Sequence, residues 1–310
     1  MSLAFLFPGQ GSQFAGMGHD LQQHFPVAAE VFALADQALG EPLSQLCFAG
    51  PEEQLKLTAN TQPAILSVSV ATARVLAAHG VRPDYVAGHS LGEYSALVTA
   101  ACLDFKEAVK VVRRRGELMQ EAVPAGEGAM AALLGMEPDA VAALCAEAAQ
   151  NQVCSPANYN SPGQIVIAGA RTAIERAVSL ATERGARAIL LPVSAPFHCA
   201  LMAPAQETLQ WDLWNTYFNE LEMPLMTNVD AELIEAPEEA RDALIRQVTA
   251  PVQWERSMRG LLAKGVTHFV EVGPGKVLSG LLRRIDRNAV CLNVEDSESL
   301  EKTVEVLAHA

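Results

Sequence analysis

The sequence predicts a mixed α/β protein in which a small unit of four strands and two helices is set into a larger α/β domain. Three observations carry that expectation. Half of the 310 residues are hydrophobic and only 19% are charged, enough apolar material for a sizeable buried core. Short apolar strand patterns alternate with longer stretches of helical spacing along most of the chain. Between residues 126 and 195 the rhythm becomes β-α-β-β-α-β, the order of a ferredoxin-like split unit. The larger domain is therefore expected to be discontinuous, formed by 1–125 and 196–310, with 126–195 as the insert.

Taken in order, "LAFLF" (3–7) reads as a buried strand, followed by the glycine-rich turn "PGQGSQFAGMG". Helical periodicity fills 26–39 and 62–79, the second run ending at Gly80, a natural C-cap. "PDYVAG" (83–88) is a short strand and "LGEYSALVTAA" (91–101) a helix. "DFKEAVKVVRRRGELMQEAV" (104–123) has apolar i, i+3, i+4 spacing and an acidic first turn, so it predicts a helix. The insert follows Pro124. Its strands are "GAMAALLG", "VCSPANY", "QIVIAG" and "ARAILLPV", its helices "PDAVAALCAEAAQ" and "TAIERAVSLATERG", with "NSPG" as the central turn. Helix, strand and helix patterns then resume from "MAPAQETLQWDLWNTYF" through "HFVEVG" to the C-terminus.

Composition excludes several functions. A formal net charge of −14 lacks the positive field that a general nucleic-acid binder needs. The apolar stretches are broken by polar residues before membrane-spanning length, and no basic segment precedes an apolar run at the N-terminus. Six cysteines without C-x-x-C spacing suit reduced thiols in a cytoplasmic protein better than disulfides or a zinc site. The expectation is a soluble cytoplasmic protein with a small-molecule site between its two units.

The stretch "YVAGHSLGEYSAL" (85–97) places Ser90 between Gly88 and Gly92 at a strand-to-helix junction. G-x-S-x-G in that context is the nucleophile elbow: a tight turn leaves the serine hydroxyl exposed, and a Cβ at either glycine would collide with the neighbouring strand and helix. A serine needs a base. His89 is adjacent and diverges from Ser90 on a sharp turn. His19 and His24 lie on different faces of an early helix, and His79, His268 and His309 sit near element ends. His198 in "SAPFHCALM" follows the last strand of the insert and a proline, at the hinge between the units; on position alone a catalytic and a structural role both stay open. Cys199 beside it has no elbow and reads as a small buried residue. No Asp or Glu announces itself as a third member, and a backbone carbonyl could orient the imidazole instead.

In elbow enzymes one oxyanion donor is the N–H of the residue after the nucleophile, here Leu91. The other comes from a neighbouring loop, for which the turn holding Gln10 is a candidate. The dinucleotide fingerprint fails there because position 14 is Phe14, and "GPGK" (273–276) fails as a phosphate loop because position 270 is Val270. Arg113, Arg114 and Arg115 point to different helix faces, so one of them can turn inward, where its planar fork suits a substrate carboxylate.

Seven ordered motifs, "FPGQGSQ", "GHSLGEYSAL", "RRRGELMQEAVP", "NYNSPGQIVIAG", "VSAPFHCALM", "PVQWERSM" and "EVGPGKVLSGL", span nearly the whole chain. Together they resemble the malonyl-CoA:acyl-carrier-protein transacylases of bacterial fatty-acid synthesis. The resemblance implies an α/β-hydrolase-like large domain around a ferredoxin-like insert. It implies ping-pong transfer of malonyl from malonyl-CoA to the phosphopantetheine thiol of an acyl-carrier protein, without a cofactor or metal, by a cytoplasmic monomer that binds neither nucleic acid nor membrane. Residue by residue, it implies that Ser90 is acylated, that His198 is its base and that Gln247 supplies the carbonyl orienting His198. Gln10 and the Leu91 N–H would hold the oxyanion, and Arg115 would bind the malonyl carboxylate. Phe197 would narrow the space beside the acyl α-carbon. Because carrier proteins are acidic and so is this chain, docking calls for a local basic patch, for which Lys276, Arg283, Arg284 and Arg287 are the candidates bordering the cleft. Transacylases of polyketide or malonate decarboxylase systems share these motifs, and a serine thioesterase or hydrolase is a further alternative.

Overall fold

The computed structural model describes residues 2–193 and 195–309; Ser194, inside the "VSAPFHCALM" motif, and the two terminal residues Met1 and Ala310 lie outside the described residues. Among the described residues ten strands form two sheets: β1 (Leu3–Phe7), β2 (Tyr85–Gly88), β3 (Gly128–Leu134), β4 (Cys154–Ser161), β5 (Gln164–Ala170), β6 (Arg187–Leu190), β7 (Leu225–Met226), β8 (Leu233–Ile234), β9 (His268–Val272) and β10 (Val290–Val294). The first sheet has the order β10-β9-β1-β2-β7-β8. Its pairs are parallel except for β8, which runs antiparallel to β7.

The apolar run of β1 is explained by burial on both faces. Leu3, Phe5 and Phe7 project into a core shared with Phe32, Val68 and Leu76 from the helices Pro26–Leu39 and Thr58–Ala78. Ala4 and Leu6 face the opposite core, with Trp254, Met258 and Phe269. Strand β1 is paired with β2 on one side and β9 on the other, so it lies inside the sheet, and the chain runs from β1 toward β2 but from β9 away to β10. Crevices at the carboxyl ends of such strands are where open α/β sheets bind ligands. Phe7 and Gly88 are register partners at those ends, which places the turns carrying Gln10 and Ser90 side by side.

The second sheet is antiparallel, with the order β4-β5-β3-β6. One face, with Ala131, Leu133 and Ile167, packs on Val141, Leu144, Ile174 and Ala177 from the helices Pro138–Ala149 and Arg171–Glu183. Met130, Val166 and Ala168 on the other face join the core of the first sheet. Tyr159 N–H donates to the Val252 carbonyl, and Val252 N–H to that of Ala157, which ties β4 directly to the segment before the helix Trp254–Ala263.

Two details differ from the sequence reading. The second helix begins at Thr58 rather than 62 and carries Pro63 inside it, because the polar first turn conceals its periodicity. The central turn of the second sheet is shorter than "NSPG": Ser161 pairs with Gln164, leaving Pro162 and Gly163 as a two-residue turn with Gly163 at φ +67°. No described helix is long and apolar enough to cross a membrane.

Candidate active site

Ser90 stands at the end of β2 with φ +51°, a left-handed conformation that is costly for a residue with a Cβ. Packing enforces it. A Cβ on Gly88 would lie 1.9 Å from the Gly92 carbonyl carbon, and one on Gly92 would lie 2.0 Å from the Phe7 carbonyl oxygen. Only glycines let β1, β2 and the helix Gly92–Thr99 approach this closely. Asn228 locks the turn from behind: its Oδ1 accepts from Ser90 N–H at 2.6 Å and its Nδ2 donates to the Gly88 carbonyl at 2.6 Å.

His198 also has positive φ, +59°, and is 3% exposed. Its Nδ1 lies 2.8 Å from the Gln247 carbonyl oxygen and its Nε2 lies 2.7 Å from Ser90 Oγ. A carbonyl can only accept, so Nδ1 carries the proton and Nε2 turns its lone pair to the serine hydroxyl. Burial, reinforced by the Arg115 charge, lowers the His198 pKa to about 3. The imidazole is therefore neutral at physiological pH and free to act as a base. His89 takes a different path, with Nε2 2.8 Å from Asn160 Oδ1 and its ring against Trp254. Burial lowers its pKa as well.

The three arginines separate as helical geometry requires. Arg113 donates to Asn60 Oδ1 at 2.7 Å and pairs with Glu41, whereas Arg114 is exposed near Glu117. Arg115 is 2% exposed. Its helix, Phe105–Glu121, is capped by Asp104, which accepts from Lys106 N–H and Glu107 N–H. Gly116 lets this helix close on Thr58–Ala78, since a Cβ there would lie 2.7 Å from Ala59 Cα. Arg115 Nη1 donates to Gln62 Oε1 at 2.7 Å; Nη2 donates to Gln247 Oε1 at 2.9 Å and to Ser90 Oγ at 3.1 Å. Its guanidinium lies over the Tyr94 ring, 5.6 Å from the centroid.

These groups face a cavity of about 120 Å³ lined by Gln10, Gln62, Ser90, Leu91, Arg115 and His198, with Met130 and Phe197 among its apolar walls. Gln10 Nε2 reaches Thr58 Oγ1 at 3.2 Å, which anchors the turn after β1 beside the cavity. Leu91 begins the next helix, where backbone N–H groups have no intrahelical acceptor. The cavity thus unites Ser90, His198, Arg115, Gln10 and Leu91, and Gln247 stands directly behind it. Cys199 is buried, with its thiol 3.0 Å from the Pro196 carbonyl, away from any nucleophilic role.

Lys276, Arg283, Arg284 and Arg287 are all exposed, and none lines this cavity. Lys276 is 3.5 Å from Glu295, and Arg284 donates across to Gln164 of the second sheet at 2.9 Å. Three residues that hydrogen-bond the groups around the cavity escaped the sequence reading: Gln62, Asn228 and Glu93. The first two are single amides in unremarkable contexts. Glu93 lies inside the elbow motif, three residues after Ser90, and that position was the available signal. Among the described residues no group of three or more His, Cys, Asp or Glu side chains could hold a metal ion.

Comparison with known proteins identifies the family. Residues 4–300 match the family model described as acyl transferase domain. The chain is 48% identical over 307 residues to the malonyl CoA-acyl carrier protein transacylase of Bacillus subtilis (strain 168), covering 98% of this chain and 97% of that one. It is 51% identical over 284 residues to the protein of the same name from Escherichia coli (strain K12), covering 91% and 92%. An acyl carrier protein S-malonyltransferase from Vibrio cholerae superposes with a TM-score of 0.95 at 49% identity, covering 98% and 100%. A malonyl-transacylase solved in complex with its type II PKS acyl-carrier protein superposes at 0.97 with 46% identity, covering 99% and 100%. With a strained serine, a neutral histidine and a buried arginine meeting in one cavity, and with likeness along almost its full length, this chain belongs to the acyl transferase family and, within it, to the malonyl CoA-acyl carrier protein transacylases.

Proposed function

We propose that the chain transfers malonyl from malonyl-CoA to the thiol of an acyl-carrier protein through a malonyl ester on Ser90. The observation that carries this reading is the pair of contacts on Ser90 Oγ: His198 Nε2 at 2.7 Å and Arg115 Nη2 at 3.1 Å. One supplies a base, the other a cation placed where an acyl group's free carboxylate would lie. Ser90 Oγ attacks the thioester carbon as its proton moves to His198 Nε2. The tetrahedral oxyanion is held by the Leu91 N–H and the Gln10 turn, and losing one such donor costs roughly 3–4 kcal/mol. Collapse breaks the C–S bond, and the imidazolium returns its proton to the departing CoA sulfur. The carrier protein's thiol then reverses the sequence.

Arg115 has a second effect. Its charge is one cause of the low His198 pKa. A malonyl carboxylate paired with Arg115 cancels that field, so the imidazole becomes more basic when the right acyl group is present. The same pairing holds the acyl group so that attack by water on the ester is poorly aligned. Phe197, buried at the cavity wall, crowds the acyl α-carbon and disfavours branched groups. No step calls for a cofactor, since serine, imidazole, donors and guanidinium supply nucleophile, base and electrostatic stabilisation.

The reading includes a finer architecture: an α/β-hydrolase-like domain from 1–125 and 196–310, with a ferredoxin-like insert at 126–195. It is supported by the parallel sheet with its elbow and by the four-stranded antiparallel sheet with its two helices. It also includes action as a cytoplasmic monomer, and carrier-protein docking on Lys276, Arg283, Arg284 and Arg287. A second reading, in which the acceptor belongs to a polyketide system, is favoured by the likeness to the transacylase solved with a type II PKS acyl-carrier protein.

The deciding experiment mixes the protein with malonyl-CoA alone, then takes an intact mass and peptide map. A malonyl-sized adduct on Ser90, absent in Ser90→Ala, is expected. Free CoA without adduct would make water the acceptor and replace the proposal with a hydrolase. Offering the charged enzyme holo carrier proteins of fatty-acid and polyketide type separates the two acceptor readings.

A further inference from the structure

Glu93 is fully buried directly behind the nucleophile and takes no part in the acyl-transfer steps. Its Oε2 accepts from Gln247 Nε2 at 2.7 Å and from the Asn228 N–H at 3.3 Å. Gln247 Nε2 gives its other proton to the Ser90 carbonyl at 3.0 Å, while Gln247 Oε1 accepts from Arg115 at 2.9 Å. An amide can be turned over, and here the neighbours decide which way it stands. In the reversed orientation Oε1 would face a carboxylate and a carbonyl, and Nε2 would face a guanidinium. Every contact would then set acceptor against acceptor or donor against donor.

Among those neighbours Glu93 has the greatest leverage, because its contact with Nε2, at 2.7 Å, is shorter than that of the Ser90 carbonyl, at 3.0 Å. Arg115 also needs a fixed partner. Among the described residues its guanidinium donates to Gln62 Oε1, Gln247 Oε1 and Ser90 Oγ, and the last is consumed once the serine is acylated. After acylation, the amides of Gln62 and Gln247 are the acceptors that aim the guanidinium over the Tyr94 ring. The Gln247 amide is in turn aimed by Glu93.

We propose that Glu93 is a positioning residue for acyl-group selection: by accepting from Gln247 Nε2 it holds Oε1 toward Arg115, and so fixes the guanidinium where the malonyl carboxylate is received. The inference rests on the reading that Arg115 receives that carboxylate. It differs from a general supporting role in what it affects. A residue that merely supports the elbow would slow every acyl group alike, because every acyl group uses Ser90 and His198. A residue that aims Arg115 affects malonyl and leaves a donor without a free carboxylate, such as acetyl-CoA, much less changed. The raised carboxyl pKa of Glu93, to about 7 through burial, fits a group tied to Arg115 through an intervening amide rather than by direct ion pairing.

The test measures Ser90 acylation by malonyl-CoA and by acetyl-CoA, as rates from intact mass, in wild type, Glu93→Ala, Glu93→Asp, Glu93→Gln and Arg115→Ala. Glu93→Ala removes the acceptor. Glu93→Asp keeps the charge but withdraws it by one methylene, which preserves a measurable protein should the alanine variant fail to fold. Both are expected to lower the malonyl-to-acetyl rate ratio by about tenfold, the equivalent of one hydrogen bond. Glu93→Gln offers an amide oxygen at the same reach and is expected to restore most of the ratio. If Arg115→Ala loses the preference while the Glu93 variants slow both acyl groups equally, the positioning role is overturned and the Arg115 reading stands. If Arg115→Ala keeps the preference, the reading itself fails and the inference with it.

Discussion

Two regions of this molecule gather polar and charged groups and hold them in opposite ways. Around Ser90 the side chains of Glu93, Arg115, His198, Asn228 and Gln247 are almost wholly buried, and the bonds among them leave each one orientation. At the other extreme, the helix Val277–Ile285 and the turn after it present Arg283, Arg284 and Arg287 to solvent. Position in the first region is set by packing; in the second it is left to water and to whatever docks there. A substitution near Ser90 should therefore act through geometry, with large effects that salt does not relieve. A substitution on the helix should act through charge, with small effects that salt screens.

Glycine gives the sharpest contrast. Gly92→Ala would set a Cβ 2.0 Å from the Phe7 carbonyl oxygen, forcing helix and strand apart beneath the nucleophile. Displacing a reacting group by an ångström costs about a hundredfold in rate, so malonyl-Ser90 formation should fall by at least that much. Gly280, inside the helix Val277–Ile285, has nothing within 4 Å of where its Cβ would stand. Gly280→Ala should leave acylation unchanged and raise stability by about 1 kcal/mol in urea unfolding, the helix-propensity difference between the two residues. Equal losses in the two variants would remove the distinction between the regions.

Next in size is Arg115→Ala. It deletes a buried cation and its charge-assisted bond to the acyl carboxylate, so the malonyl-to-acetyl rate ratio should fall by roughly 1.5–3 kcal/mol, tenfold or more. A retained preference would mean that another group reads the carboxylate.

How far each region was legible follows from the same contrast. The elbow was readable because chain geometry and chemistry coincide within five residues: Gly88 and Gly92 are required by the close approach that Ser90 needs. The inward turn of Arg115 among three arginines follows from helical spacing, but spacing alone does not choose which of the three is buried. That choice is made by Gly116 packing against Ala59, which lies in the first turn of another helix, Thr58–Ala78. His198 had no local signature; its role depends on the Gln247 carbonyl, 49 residues away, and only the family resemblance pointed there. Asn228, 138 residues from Ser90, offered no pattern, because a single amide becomes informative only when folding brings Ser90 N–H and the Gly88 carbonyl to it. The sheet orders were legible only as far as element sequence restricts them, since β1 finds β9 through pairing that spans most of the chain.

The pH response tests the buried region without moving an atom. With the His198 pKa lowered from 6.5 to about 3, the proposed base is already neutral well below pH 6.5. Acylation by acetyl-CoA, which does not depend on the Glu93–Gln247–Arg115 chain, should show no loss centred near 6.5, and a falling limb there would signal a base other than His198. Stability moves the other way. Between those two values the unfolded chain binds a proton that the folded one refuses, so unfolding is favoured as pH falls through 6.5 toward 3. Against His198→Asn, the wild type should lose stability progressively over that interval in urea titrations, and parallel curves would show that the histidine is not held neutral by the fold.

The mildest effect belongs to the exposed helix. Arg284→Glu together with Arg287→Glu adds four units of negative charge to a chain already at −14, on a face free of the cavity. These charges act through water, so they alter the encounter with an acidic carrier protein rather than the chemistry on Ser90. Malonyl-Ser90 formation from malonyl-CoA should be unchanged, while the KM for carrier protein should rise by roughly threefold to tenfold at low salt. The difference should disappear near about 0.5 M salt, where the Debye length is only a few ångströms. An unchanged KM at low salt would place docking on another face. A fall in the first half-reaction would mean that the Arg284–Gln164 contact, which joins this helix to the second sheet, carries structural strain into the site and that the two regions are not as separate as their burial indicates.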